Sequence, residues 1–298
     1  MSFTVAHFSD VHLGPLPKGA ALQNFRPKRV LGALSWHWKR KHQHLPDIAN
    51  ALRNDILNQA PEHIAFTGDG VNIASPKEFP QLLDWMSHFG PSDYLSFVPG
   101  NHDAYVKVPP EKSLNLLMPY MTGEMRSEQP FPYVRLRRNI ALIGLNSAIP
   151  RGYHSAEGWL GRPQREALRW RLAELKGKGF YRLVMIHHPP MAGISMRLRS
   201  LIDSPELSNL LKEAGAELVI HGHNHHRQLH WIKTKNFRVP VVGVPSASMT
   251  GTRHPAEWNL YTISRSGGQW QTQVSIRRWN AITQSFEPSA TFMLDNQA

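Results

Sequence analysis

Five stretches of strand length in this chain each run straight into a short turn carrying carboxylate, amide or imidazole groups. Phe3–Phe8 leads into Ser9-Asp10-Val11-His12, and His63–Thr67 into Gly68-Asp69-Gly70. Tyr94–Val98 leads into Pro99-Gly100-Asn101-His102-Asp103, and Arg182–Ile186 into His187-His188-Pro189-Pro190. Glu217–Ile220 leads into His221-Gly222-His223-Asn224-His225-His226. Helical patterns lie between them. Ile48, Leu52 and Ile56 recur within Pro46–Ala60, and a second helix is predicted over Pro76–Phe89. Leu168, Leu172 and Leu175 share one face of Arg162–Lys176, and a further helix covers Pro205–Ala214. Strands alternating with helices imply parallel pairing through right-handed crossovers. The loops at the carboxyl ends of such strands face one crevice, where ligands bind. The polar turns are therefore expected to meet along one edge.

The remaining segments are read less fully. Tyr133–Arg137 and Ile140–Asn146 read as two strands meeting at Arg138-Asn139. Val239–Val244, Trp258–Ser264 and Trp270–Ile276 read as strands closing a second sheet. Residues 104–132, rich in proline and methionine, show no period that assigns them. No internal repeat, low-complexity tract or interdomain linker interrupts the chain, so one domain over 1–298 is expected.

Composition excludes several chemistries. The 298 residues include no cysteine, which removes disulfides, thiolate metal sites and cysteine nucleophiles. The first residues lack the basic and apolar regions of a signal peptide, and no apolar run reaches membrane-spanning length. Cytoplasmic residence is the default expectation. The net charge of +12 is mostly local: Lys18, Arg26, Lys28, Arg29, Lys39, Arg40 and Lys41 fall between Val11 and Pro46 with no acidic residue. A patch of that sign attracts phosphate, whether on nucleotides, nucleic acid or a membrane surface.

That basic stretch belongs to an insertion over 15–45. Pro27 suits a helix start, and Leu31, Leu34 and Trp38 then follow at helical spacing beside Val30. A basic amphipathic helix with tryptophans fits a membrane interface or a lipid-shaped groove. It equally fits a helical insertion packed on its own domain with its charges solvated.

Each polar turn is ambiguous alone. A short histidine-rich tract is a compositional hint rather than a site, and a carboxylate in a turn is ordinary. His7, inside the first strand, reads as a hydrogen-bonded core histidine. Taken in order, however, Asp10-x-His12, Gly68-Asp69, Gly100-Asn101-His102-Asp103, His187 and Gly222-His223-x-His225 resemble the complete signature of the calcineurin-like metallophosphoesterase superfamily. The resemblance spans roughly Val5 to Ile263. Gly70 departs from it mildly, since many relatives carry an apolar residue after the aspartate.

The resemblance implies an α/β fold, a four-layer αββα sandwich of two mixed sheets with the metal site at the strand carboxyl ends. It implies two divalent metal ions, Asp10, His12 and His225 holding one, Asn101, His187 and His223 the other, and Asp69 bridging both. Oxygen and nitrogen donors without sulfur suit manganese, iron, zinc, cobalt or nickel better than calcium or magnesium; manganese and iron are favoured. The implied reaction is attack of a metal-bridging hydroxide on a phosphodiester or pyrophosphate. His102 is expected to contact the phosphoryl group and serve the leaving oxygen, with Asp103 orienting its other ring nitrogen. The histidine directly at the strand end, His187 rather than His188, is taken as the ligand. His221, His226 and His230 have no part in the motif, and solvation or contact behind the ligands is expected of them.

Substrate expectations divide. Cyclic-nucleotide phosphodiesterases of the superfamily are similar in motif set and compact length. Enzymes cleaving the pyrophosphate of UDP-2,3-diacylglucosamine are similar in the metal core and add a basic, apolar lid, which the 15–45 insertion resembles. The partner is therefore a phosphorylated small molecule or a lipid-linked substrate, with peripheral membrane contact through 15–45 in the second case. A DNA nuclease and a scaffold without catalysis rank lower. Too few residues follow Ile276 for a DNA-binding cap, and no ligand of the motif is missing. Oligomeric state is not readable.

Overall fold

The computed structural model describes residues 2–21, 26–125, 129–234 and 237–294. Residues 22–25 of the insertion lie outside that set. The first sheet begins with β1 (Phe3–Phe8). The inserted helix α1 (Pro27–Trp38) and helix α2 (Pro46–Asn58) precede β2 (His63–Phe66), and α3 (Glu78–Ser87) precedes β3 (Leu95–Phe97). Next come β4 (Tyr133–Arg137), β5 (Ile140–Gly144), α4 (Arg162–Gly177), β6 (Tyr181–Met185), α5 (Ser204–Ala214) and β7 (Leu218–His221). Strands β8 (Gln228–Lys233), β9 (Arg238–Gly243), β10 (Glu257–Ser266), β11 (Gln269–Asn280) and β12 (Ser285–Leu294) complete the chain. Proline begins α1 and α2, where its missing N–H removes no helical bond.

Two six-stranded sheets result, in the orders β12-β11-β10-β1-β2-β3 and β4-β5-β6-β7-β9-β8. β1, β2 and β3 run parallel, as do β5, β6, β7 and β9; the outer strands are antiparallel. Both sheets are thus mixed. Side chains alternate across a strand, so β6 is buried on both sides: Leu183 and Met185 join the core between the sheets, while Val184 and Ile186 pack under Leu168, Leu172 and Leu175 of α4. On the opposite side Ile48, Leu52 and Ile56 of α2 and Leu82 and Met86 of α3 cover β1–β3. The order is helix, sheet, sheet, helix.

Trp258–Ser264 and Trp270–Ile276 do not close the second sheet. β10 pairs antiparallel with β1 (Val5 opposite Tyr261), and β11 and β12 extend that first sheet. Apolar alternation marks a strand without naming its neighbour, so the sequence left this pairing open to misreading. The second sheet is completed by β9 and by β8, a strand not anticipated. Residues 110–120, without assignment from sequence, form two short 3-10 segments that bury Leu117 and Tyr120.

The inserted helix also differs from expectation. Its apolar stripe faces solvent, with Leu31 55%, Leu34 47% and Trp38 84% exposed. Its cations face inward: Arg29, 1% exposed, donates to the carbonyls of Ile73 (3.4 Å) and Ala74 (2.9 Å). Lys28 donates to the carbonyls of Tyr105 (2.9 Å) and Arg151 (3.1 Å). The expectation that the insertion packs with its charges solvated is therefore corrected for these two. Loop carbonyls left without partners offset the cost of burying the cations.

Candidate metal centre

All seven sequence-predicted metal residues meet beyond the carboxyl ends of β1, β2, β3, β6 and β7. Asp10 and Asp69 are buried carboxylates, and neither has a Lys or Arg ion pair among the described residues. Imidazole nitrogens surround them. His225 Nε2 lies 3.1 Å from Asp10 Oδ1, and His12 Nε2 lies 3.9 Å from both Asp10 Oδ1 and Asp69 Oδ2. The same Oδ2 is 3.4 Å from His187 Nε2. His187 Nε2 in turn is 3.2 Å from Asn101 Oδ1 and 3.2 Å from His223 Nδ1. One carboxylate oxygen thus lies near members of two clusters of donors.

The backbone is bent to make this possible. Asp10 (φ 56°), His12 (φ 44°), Asp69 (φ 55°), His223 (φ 71°) and His225 (φ 55°) all adopt left-handed conformations. Each costs roughly 1–2 kcal/mol for a residue with a β-carbon. Such residues persist where surrounding structure over-determines them, and they cluster at functional sites. Two glycines allow the loops to close: a β-carbon at Gly100 would collide with Asp69, and one at Gly222 with Ser9 and Asp10.

Hydrogen bonds behind the cluster fix which nitrogen faces it. His187 Nδ1 donates to the Thr67 carbonyl (2.7 Å) and His223 Nε2 to the Arg199 carbonyl (2.7 Å), leaving His187 Nε2 and His223 Nδ1 as the nitrogens turned inward. His188 is buried nearby, but its nitrogens are taken by Ser147 Oγ (2.7 Å) and the Ala156 carbonyl (3.1 Å). His187 is accordingly the member of the pair that faces the cluster. His7 sits in the core against Thr67 Oγ1 (2.9 Å), as expected. His221 is buried in β7 rather than solvated.

Charge behaviour follows burial. Burial opposes charge on Asp10, but His225, His187 and His223 outweigh it and hold the carboxyl below its usual range. Burial likewise opposes protonation of His187. The charge and hydrogen bond of Asp69, with Asp10 and the Thr67 carbonyl, outweigh it and hold that ring up at about 9. Burial, with neighbouring histidines, keeps His12 and His223 well below the ordinary imidazole value. Two desolvated carboxylates ringed by imidazole nitrogens form a donor set that fits cations. Three groups can hold one: Asp10, His12, Asp69 and His225; His12, His44 and His225; and His187, His188 and His223, each with ligand atoms within 4.8 Å of one another. The last group includes His188 by distance alone, since both its nitrogens have other partners.

His102 lies beside this cluster. Its backbone N–H donates to Asp69 Oδ1 (2.7 Å), and Tyr105 stacks on its ring at 5.3 Å between centroids. The expected contact with Asp103 is absent. His102 Nδ1 lies 2.5 Å from the Asn72 carbonyl instead. Asp103 accepts the backbone N–H groups of Asp69 (2.8 Å), Gly70 (2.9 Å), Val71 (3.0 Å) and Gly100 (2.8 Å). Burial and the Asp69 charge push the Asp103 carboxyl up to about 7, against those donors. Four convergent amides leave no carboxylate lone pair directed at His102, so Asp103 braces the Asp69 turn.

Sequence reasoning missed two residues of the site, both from the insertion. His44 is buried with Nδ1 on Ser248 Oγ (2.9 Å), its ring 4.6 Å from that of His12. Arg40 places Nη1 3.2 Å and 3.4 Å from the two ring nitrogens of His102. The local basic charge was the available signal, but it did not single out these positions. Both line a cleft of about 1030 Å³ that also takes in His12, Asp69, Asn101 and His102.

Comparison with known proteins agrees with this arrangement. The family model for the calcineurin-like phosphoesterase matches residues 3–227. A probable cyclic nucleotide phosphodiesterase of a Synechococcus strain is 25% identical over 234 residues, covering 76% of this chain and 81% of that protein. Among solved structures, a dimetal phosphatase from Danio rerio superposes with a TM-score of 0.66 at 12% identity, over 99% of each chain. GAP50, the anchor in the inner membrane complex of Plasmodium, superposes with a TM-score of 0.54 at 13% identity, over 100% of this chain and 90% of its own. At these identities the structural likeness concerns the fold alone.

Proposed function

The chain belongs to the calcineurin-like phosphoesterase family and is a metal-dependent phosphoesterase; from that premise we propose that it hydrolyses a phosphodiester or pyrophosphate bond at a two-metal site. Asp10, His12 and His225 would hold one divalent cation, Asn101, His187 and His223 the other, and Asp69 both. The observation that carries this is the proximity of one oxygen, Asp69 Oδ2, to both His12 Nε2 and His187 Nε2, at 3.9 Å and 3.4 Å. When bound, such a pair of cations, manganese or iron by preference, draws charge from the phosphoryl oxygens and lowers the pKa of water.

The chain's own groups supply the rest. With Nδ1–H held by the Asn72 carbonyl, His102 keeps Nε2 for the substrate, and only when Nε2 is also protonated does it donate to the departing oxygen. Asp103 keeps the Asp69 and Gly100 turns in register through four amides. Cleft walls formed by the insertion and by the loop carrying Arg197 and Arg199 bring positive charge to a phosphate.

For substrate, we favour a cyclic nucleotide. The similarity to the Synechococcus protein supports this reading, as does a cleft able to seat one. A lipid-linked pyrophosphate is the second reading, favoured by the exposed Leu31, Leu34 and Trp38 beside basic Lys39 and Lys41 on the insertion. No described helix is long and apolar enough to cross a membrane. Under the second reading the protein would act peripherally, on the cytoplasmic face. With manganese present, turnover of cyclic nucleotides, UDP-diacylglucosamine and single-stranded DNA would be measured side by side. Turnover of cyclic nucleotides alone is expected; turnover confined to the lipid substrate would move the assignment to the second reading. His102→Ala should retain both metals and lower turnover roughly 10²–10⁴-fold. Loss of the metals in that variant would contradict the role given to His102.

A further inference from the structure

Arg40 lies outside the five-turn signature. It is carried by the segment inserted after β1, immediately beyond α1, and it is half-buried at the cleft. Among the described residues it has no carboxylate within ion-pairing distance. Among the described residues its guanidinium is within hydrogen-bonding distance of the ring nitrogens of His102, at 3.2 Å and 3.4 Å. Guanidinium is a donor only, and His102 Nδ1 is already committed as a donor to the Asn72 carbonyl. The shorter contact is therefore donor against donor, and the longer meets Nε2, the position that must carry the proton given to the leaving oxygen. His102 does not satisfy Arg40; the two donors border a space that lacks an acceptor.

The segment is fastened at this point. Gly32 of α1 packs so closely on Tyr105 that a β-carbon there would stand 2.9 Å from the Tyr105 hydroxyl. Lys28 sits over the Tyr105 ring at 4.1 Å from its centroid while donating to the Tyr105 carbonyl. Tyr105 in turn stacks on His102 with ring planes 8° apart. A guanidinium held this way, next to a site suited to two dications, is favourable only with an anion between the like charges. Its planar fork matches two oxygens of one phosphoryl group. We propose that Arg40 binds the phosphoryl group undergoing transfer, beside His102, so that the 15–45 insertion supplies part of the catalytic site.

This rests on the phosphoesterase reading above, and the test separates the two. Manganese-loaded wild type, Arg40→Ala, Arg40→Gln and Arg40→Lys would be compared for hydrolysis of bis-p-nitrophenyl phosphate and for inhibition by inorganic phosphate. Metal content and thermal midpoint would be measured on each. Arg40→Ala and Arg40→Gln should keep two metals and the wild-type midpoint and lose roughly 10²–10³-fold in kcat/KM. Their inhibition constant for phosphate should rise about tenfold or more, the loss of one charged contact. Arg40→Lys should recover part of both. Arg40→Ala within threefold of wild type in kcat/KM and in phosphate inhibition would overturn the proposal. So would a fall in turnover with unchanged phosphate inhibition, which would make Arg40 a positioning residue for His102. A metal-loaded wild type that neither cleaves the diester nor binds phosphate would overturn the phosphoesterase reading itself, and this inference with it.

Discussion

The strand-end turns and the inserted segment both border the cleft, yet they are built on opposite principles. In the turns, chemistry dictates the backbone: Asp10, His12, Asp69, His223 and His225 accept left-handed conformations so that their donors converge. In the segment, packing dictates the chemistry: α1 turns Lys28 and Arg29 inward to loop carbonyls and leaves Leu31, Leu34 and Trp38 in solvent. A residue type that decides function in one region decides only attachment in the other. The sign of a charge is therefore informative only together with what it touches.

The largest effect that can break this comparison is expected at Asp69. Asp69→Ala removes a donor common to both cation sites, so metal content should drop and turnover should fall by more than the roughly 10²–10³-fold lost with a single oxyanion donor. Metal analysis and steady-state rates would check it. Retention of both metals would mean that Asp69 is a brace, as Asp103 is, and not a shared ligand.

Within the segment the contrast lies between inward cations and outward apolar groups. Arg29→Ala leaves the Ile73 and Ala74 carbonyls buried without this donor and should cost about 2–4 kcal/mol in denaturant unfolding. Leu31→Ser and Leu34→Ser change side chains that lie outside the apolar clusters and should stay within about 0.5 kcal/mol of wild type. If the two serine changes destabilise more than Arg29→Ala, the orientation given to α1 is wrong. The same serine variants sharpen the substrate question, since loss of co-sedimentation with anionic vesicles would mark the outward face as a lipid contact.

A smaller effect concerns protons. His187 in the metal-free site is held up at about 9, and a metal takes only the neutral ring. Metal uptake must then displace a proton below that pH. Apparent affinity for manganese should rise roughly tenfold per pH unit from 7 to 8.5 and level off above about 9. Chelator competition would measure this; a flat profile would show that His187 is neutral before the metal arrives.

Much of this site could be read in the sequence because the turns combine two signals, ligand-type side chains directly after a strand-length apolar run and, taken in order, a match to the family signature. Asp10, His12, Asp69, Asn101, His187, His223 and His225 carry both signals, and the structure brings all of them together. The helices over α2, α3, α4 and α5 were equally legible from apolar spacing. What sequence could not supply were partners made of backbone. The Asn72 carbonyl on His102 Nδ1, the four amides on Asp103 and the carbonyls holding Arg29 have no side-chain signature. The allocation of β10 and β11 to the first sheet depends on long-range pairing with β1, which alternation does not encode. Arg40 and His44 were hidden because a run of basic residues does not say which of its members face inward.

The pairing of two cations across Asp69 is tested most directly by anomalous X-ray scattering from crystals grown with manganese. Two peaks are predicted, one among Asp10, His12, Asp69 and His225 and the other among Asp69, Asn101, His187 and His223. A single peak, or peaks to which Asp69 contributes no oxygen, would contradict the account.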